Sequence, residues 1–199
     1  QSDAEGAVLN AQFAKDLSEK YGLDADTVAL AAGLLASAAT GVPIKGLKIP
    51  ASRLESTQPI AVSGSRAIDK AQSYESGVRD IYGGVSYADR QYTTIVNGNR
   101  VNGVADNVTI VDGKRTAVEA KFVENWADSI RNPSSNSGSK PWSVAEQANM
   151  VEQAKKYSSG FEGGVIYHTN SPELASQYSR VFTEAGVTNF KFVITPIKD

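Results

Sequence analysis

Two dipeptides, Asn97-Gly98 and Asp112-Gly113, punctuate the stretch from Arg90 to Val123. Both accept positive φ at their two central positions, and both are flanked by residues of strand type. Such a stretch must fold back on itself as antiparallel hairpins. Three strands joined by tight turns are expected across "RQYTTIVNGNRVNGVADNVTIVDGKRTAVEAKFV".

What surrounds this block changes period. "SRAIDKAQSYESGVRDIYGG" places Ile68, Ala71, Tyr74, Val78 and Ile81 at three- and four-residue steps, so a helix is expected, ended by Gly83-Gly84. Downstream, "ENWADSIRNP" reads as a short helix followed by a Ser/Asn/Gly/Pro loop, expected to be flexible over residues 132–139. "SVAEQANMVEQAKKYSS" reads as a helix with Ser143 as N-cap and Glu146 completing a capping box. "GGVIYHTN" reads as a buried strand. "SPELASQYSRVFTEAG" reads as a helix with Ser171 as cap, Pro172 at its first position and Gly186 at its end. "NFKFVITP" reads as a last strand. Hairpins come first and helix-linked, parallel strands later. The expected class is α/β (α+β), a mixed sheet flanked by helices.

The first 64 residues read differently. Residues 7–40 are dense in Ala and Leu and read as helices broken near Gly22. Thr40–Ser65 carries Pro43, Pro50 and Pro59 and reads as a linker or irregular extended segment. Two regions are therefore expected: 1–64, a small helical region with a Pro/Gly-rich linker, and 65–199, a domain with its own core. Gln1 stands where an initiator Met would, so a piece of a longer polypeptide is expected. No secretion signal opens the chain, and the apolar run from Val28 to Ala39 is too short for a bilayer.

Composition narrows the chemistry. With no cysteine, disulfides, thiolate zinc sites and cysteine nucleophiles are excluded. With one histidine, His168, paired-histidine acid–base chemistry and multi-histidine metal sites are excluded within this chain. The net charge of −2 leaves no basic footprint of the kind long-duplex binding produces.

Acids and a lysine within the hairpin block remain. Alternation along "RTAVEAKFV" puts Val118, Ala120 and Phe122 on one face and Glu119 and Lys121 on the other. The turn at Asp112-Gly113 carries Asp106 back toward residues 119–121. Two carboxylates can hold Mg²⁺, which keeps several of its waters, and a neighbouring ammonium can orient water or stabilise developing charge. That set suits phosphodiester hydrolysis.

Asp106, a gap, then Glu119-Ala120-Lys121 resembles the PD-(D/E)xK nuclease signature, with Val104-Ala105 where a proline often stands. The stretch "GVADNVTIVDGKRTAVEAKFVENWADSIRNP" with "SKPWSVAEQANMVEQAKKYSS" resembles the restriction-endonuclease-fold toxin modules of bacterial polymorphic toxins, contact-dependent growth inhibition toxins among them. The likeness spans about residues 66–199.

The resemblance implies a restriction-endonuclease-like core and a metal-dependent endonuclease cutting tRNA or DNA, with tRNA slightly favoured. Asp106 and Glu119 would hold Mg²⁺ or another divalent cation, and Lys121 would assist the water. Glu75 would be an additional acid from the first helix, and Gln153, Gln147 or Lys155 would complete the site. Gln153 and Tyr157 resemble a Gln-x-x-x-Tyr spacing of some families in that superfamily. Also implied are a cognate immunity protein, and an entry role for residues 1–64 with an inner-membrane receptor. The chain would then belong to a secreted or cell-surface effector acting in the target-cell cytoplasm.

Plainer readings stand beside these. Glu119 and Lys121 suit the solvated face of a strand, and Asp112 suits a turn. Glu124 and Asp128 suit a solvent-facing helix, and His168 suits a structural role. Lys114-Arg115 suits an ordinary basic hairpin tip, and Trp126 and Trp142 suit packing. A DNA repair or junction-type nuclease and a non-enzymatic binding module are the competing functions.

Overall fold

The computed structural model describes residues 15, 16, 18–20, 22 and 55–199. The helices expected in residues 7–40 and the linker up to residue 54 lie almost wholly outside the described residues. The chain divides into two compact units: Gln1–Lys48 with Asn125–Gln153, and Ile49–Glu124 with Ala154–Asp199. Among the described residues no helix is long and apolar enough to cross a membrane.

The second unit holds a five-stranded mixed sheet. Its strands are β1 (Glu55–Ser56), β4 (Asn107–Val111), β5 (Lys114–Lys121), β6 (Val165–Thr169) and β7 (Phe190–Ile194), in the order β1-β7-β6-β5-β4. β5, β6, β7 and β1 run parallel, and β4 closes one edge antiparallel to β5. A separate antiparallel ribbon is formed by β2 (Gln91–Val96) and β3 (Asn99–Val104). The hairpin block therefore contains four strands, not three. Hydrophobic alternation does not reveal that the first two pair only with each other.

Both turns are as the dipeptides require. Asn97 and Gly98 adopt φ of 50° and 77°, and Asp112 and Gly113 adopt 51° and 77°. That is the positive-φ pair whose twist matches flanking strands. β1 comes from the stretch read as a linker, and Ile60 continues the pairing there, with its N–H donating to the Pro196 carbonyl at 2.9 Å.

Helix α1 (Ala67–Ile81) covers one face of the sheet. Tyr74 and Val78 bury against Val118, with Ala120 and Phe122 alongside. Each strand residue's neighbour points the other way, so Ala117, Glu119 and Lys121 face the opposite side. Helix α3 (Pro172–Glu184) and the last residues of α2 (Pro141–Gly160) cover that side. There Tyr167, Phe182 and Phe192 stack with centroids 5.1–5.8 Å apart, and Tyr92, Tyr157 and Phe161 form a second aromatic group at 5.0–6.0 Å. Rings of this size dominate core energetics.

Helix ends bear out one expectation and correct another. Ser171 caps α3, its hydroxyl accepting from the Leu174 N–H at 3.1 Å with Pro172 at the first position. Ser143 is not an N-cap. α2 begins at Pro141, whose missing N–H costs nothing in a first turn, so Ser143 lies inside the helix and its hydroxyl donates to the Ser137 carbonyl at 2.6 Å.

In the first unit the short helix expected after Val123 is only a 3₁₀ turn, Trp126–Asp128, capped by Asn125. The loop beyond it, expected to be flexible, is hydrogen-bonded throughout. Ser135 donates to the carbonyls of Ser129 and Asn132, and accepts from the Gly138 N–H. A β-carbon at Gly138 would stand 1.7 Å from the Asn132 carbonyl oxygen, so only glycine fits.

Candidate active site

β5 carries Glu119 and Lys121 toward the aromatic side of the sheet. Asp106 sits at the corner between β3 and β4. Asn107 pairs with Val118 in the ladder, so the preceding residue stands opposite Glu119 on the same side. The structure thus brings Asp106, Glu119 and Lys121 together, as the hairpin pattern requires.

Their setting is not that of a solvated strand face. Glu119 is only 3% exposed. Its Oε1 accepts from Lys121 Nζ at 2.8 Å, and its Oε2 faces the Tyr157 hydroxyl at 3.4 Å. Burial pushes the Glu119 carboxyl up to about 7. The Lys121 ammonium opposes that rise, and the neighbouring Asp106 carboxyl adds to it. Two carboxyls in such contact repel when both are ionised. Tyr157 is raised by burial, then by Glu119 and Asp106, so it stands as a neutral phenol.

The corner bearing Asp106 is clamped. Arg90 Nη1 donates to the carbonyls of both Ala105 and Asp106 at 3.2 Å, and the Arg90 carbonyl accepts from the Ala105 N–H at 2.9 Å. These bonds fix the main chain at the position where the nuclease signature often has proline. Nothing local in the sequence marks Arg90 for this. It is a contact between main chain and a side chain fifteen residues away.

The remaining candidates fall elsewhere. Glu75 is held by Arg79 at 2.8 Å on the exposed flank of α1, the helix on the Val118 side, and it is not among the groups acting on Glu119. Gln147 is buried and committed. Its Nε2 donates to the carbonyls of Ile130 and Gly138 at 2.8 and 2.9 Å, stapling the Ser/Asn-rich loop to α2. Gln153 lies one helical turn before Tyr157, on the same stripe of α2 but within the first unit. Lys155 is half-buried on that helix.

Asp112 is a turn residue at positive φ. Glu124 pairs with Lys70, and Asp128 accepts from Asn125 Nδ2 at 2.9 Å. Arg115 is not simply a basic tip. Its Nη2 donates to the carbonyls of Asp89 and Gln91 at 2.9 and 3.1 Å, over the ring of Phe161. Trp142 is exposed.

His168 lies on the Val118 side, beside Ala120 in the ladder. It is 1% exposed, with Nε2 against the Tyr82 hydroxyl and Nδ1 2.8 Å from Thr195 Oγ1. Burial first, and then Lys191, lower it to about 4. It is a neutral structural histidine.

A divalent cation fits the Asp106–Glu119 pair. Two adjacent carboxylates, one destabilised by the other's charge, are relieved by a cation, and Mg²⁺ is commonly held by one or two carboxylates plus a substrate phosphate. Among the described residues no group of three or more acidic or histidine side chains converges as a metal cage.

Comparison with protein-family models, curated proteins and solved structures finds no match.

Proposed function

We propose that the unit holding the five-stranded sheet is a metal-dependent nuclease, the toxin module of a contact-dependent inhibition effector, with a restriction-endonuclease-like core. The observation that carries the reading is the convergence of Asp106, Glu119 and Lys121 on one buried spot, in an arrangement structural needs do not call for. A buried carboxylate with a second carboxylate beside it lowers stability, and such groups gather where chemistry requires them.

Asp106 and Glu119 hold Mg²⁺ in this reading. What a bound Mg²⁺ supplies is a polarised phosphoryl oxygen and a more acidic water. Lys121 keeps Glu119 oriented through its 2.8 Å bond, and its other N–H groups can meet the phosphate as negative charge builds there. The Tyr157 phenol closes the other side of the Glu119 carboxylate. The aromatic group of Tyr92, Tyr157 and Phe161 excludes water from behind the pair.

The partners that follow are a nucleic acid, with tRNA favoured over DNA by the resemblance alone, and an immunity protein that blocks the site. A receptor at the target cell's inner membrane would serve residues 1–64.

The test is incubation of the purified chain with total tRNA and with plasmid DNA, with Mg²⁺ or with EDTA, beside Asp106→Ala. Cleavage of either substrate that EDTA and the substitution both abolish is expected. Intact substrates under every condition overturn the reading, and so does cleavage that Asp106→Ala leaves unchanged.

A further inference from the structure

A cleft of about 680 Å³ opens beside the β2–β3 ribbon, lined chiefly by Tyr87, Gln91, Thr93, Asn102, Val104 and Arg115. The size is that of a small-ligand pocket. We propose that this cleft is a nucleotide subsite, in which an unpaired base of the substrate strand stacks on Tyr87 next to the carboxylate pair. This deepens the nuclease reading and rests on it.

The first argument is the exposure of Tyr87. The ring is 61% exposed, on the loop that leads into β2, and so is open to a ligand. The Arg90 guanidinium lies 5.6 Å from its ring centroid, which holds one side of the ring in place. A ring fixed in this way offers a sequence-tolerant platform for a base.

The second is the edge chemistry around it. Thr93 Oγ1 donates to Asn102 Oδ1 at 2.9 Å, which fixes the amide and leaves the Asn102 NH₂ group as a donor. Gln91 adds a second exposed amide. Arg115 supplies positive charge for a phosphate while two of its bonds hold it to the main chain. Asp89, which precedes β2, accepts from Ser86 Oγ at 2.6 Å. Amide edges, a stacking ring and a guanidinium suit a base with its flanking phosphate better than an apolar or cationic ligand.

The third is place. The guanidinium beside Tyr87 is the one that binds the Asp106 carbonyl at 3.2 Å. The ring centroid therefore lies within about 10 Å of the Asp106 main chain. The carboxylates stand a few ångströms beyond that main chain, and a stacked strand advances about 3.4 Å per nucleotide, so a base on Tyr87 sits about four steps or fewer from a phosphate there. Duplex bases are already stacked on each other, so the subsite selects single-stranded or looped substrate.

The shared chemistry, an unpaired base with its phosphate, occurs in RNA loops and in single-stranded DNA, and both are used as probes. Glu119→Gln serves as the uncut parent. Its affinity for labelled RNA and DNA single strands of about six nucleotides, and for a duplex of the same sequence, is read by fluorescence anisotropy. Tyr87→Ala in that parent is expected to weaken binding of at least one single strand about tenfold, and Tyr87→Phe to leave it within about twofold. The ring is exposed, so neither change threatens the fold.

Equal binding of single strands by parent and Tyr87→Ala overturns the subsite and leaves the nuclease reading intact. So does a parent that binds only duplex. If the parent binds no nucleic acid and the unsubstituted chain cuts none, both readings fall together.

Discussion

β5 buries a carboxyl and β6 an imidazole, on opposite faces of the sheet. Glu119 and His168 come from neighbouring strands and are almost equally inaccessible, at 3% and 1% exposed. Their company differs. His168 meets only hydroxyls: Tyr82 at one nitrogen and Thr195 at the other, with Thr195 passing the chain on to Thr57 at 2.7 Å. Both ring nitrogens are satisfied by hydroxyls, as a buried polar group requires, and the one charge acting on the ring, Lys191, keeps it neutral. Glu119 meets an ammonium, a second carboxyl and a phenol. One arrangement is complete as it stands. The other sets a second carboxyl beside the first with a single ammonium, Lys121, to balance the two. Burial alone does not mark a functional group; incompleteness under burial does.

The largest expected effect breaks the comparison outright. Glu119→Gln removes a ligand from the proposed site and should lower nuclease activity by about 10²-fold or more, with the fold intact. His168→Gln should unsettle the fold, and at temperatures where it stays folded, activity should remain within about threefold. Steady-state cleavage assays with circular dichroism as a control decide it. A reversed pattern, with His168 the essential group, would end the assignment.

The two groups should also leave opposite marks on stability against pH. The carboxyl of Glu119 rises from 4.5 to about 7 on folding. Its contribution is fully present below pH 4.5 and is lost as pH rises through 7. The imidazole of His168 falls from 6.5 to about 4. Its contribution is present above pH 6.5 and is lost as pH falls through 4. Each shift corresponds to about 3 kcal/mol. Between pH 4.5 and 6.5 the two slopes cancel in the unsubstituted chain. Removing either unmasks the other. In metal-free denaturant titrations, the stability of Glu119→Gln relative to the parent should climb with pH, and that of His168→Gln should fall. Parallel difference curves would show that the two sites do not titrate as their surroundings imply.

Much of this contrast was legible before any coordinates. The Asn97-Gly98 and Asp112-Gly113 turns, the Ser171-Pro172 helix start and the alternation of Val118–Phe122 are local signals, and they place the mixed sheet and bring Asp106 opposite Glu119. What a local pattern does not carry is long-range placement. Alternation says that Glu119 and Val118 face opposite ways, but not that the Glu119 side is also covered; that depends on where Tyr157 and Phe161 arrive. The β2–β3 ribbon pairs only with itself, which no pattern within Gln91–Val104 dictates. Gln147 looked like a site glutamine because of its helix position, whereas its amide is taken by the Ile130 and Gly138 carbonyls. Arg90 could not be found at all, because it acts on main-chain carbonyls, which every residue possesses.

Arg90 sharpens the comparison on the Glu119 side. Its guanidinium donates to the Ala105 and Asp106 carbonyls rather than to a carboxylate, and so holds the peptide that presents Asp106. It is a positioning residue, and groups of that kind typically alter metal affinity or activity by 10–100-fold when lost. Arg90→Met should weaken Mn²⁺ binding, followed by calorimetry, by about tenfold, and Arg90→Lys should recover part of it. Unchanged affinity in Arg90→Met would mean that the corner holds its shape without the clamp.

The smallest expected effect tests the His168 side. Tyr82→Phe deletes the hydroxyl against Nε2 and leaves the rest of the ring, which meets the imidazole edge-on at 5.4 Å. A buried ring nitrogen is then left unpaired, which costs about 1–3 kcal/mol. The lost bond lies across the sheet from Asp106 and Glu119, so cleavage and Mn²⁺ affinity should not move. Denaturant midpoints should fall for Tyr82→Phe, and much less for Tyr82→Phe combined with His168→Leu, because that pair leaves no unpaired ring nitrogen. If the double substitution is instead as damaged as the sum of its parts, the two side chains act independently and the His168 cluster is not a closed network.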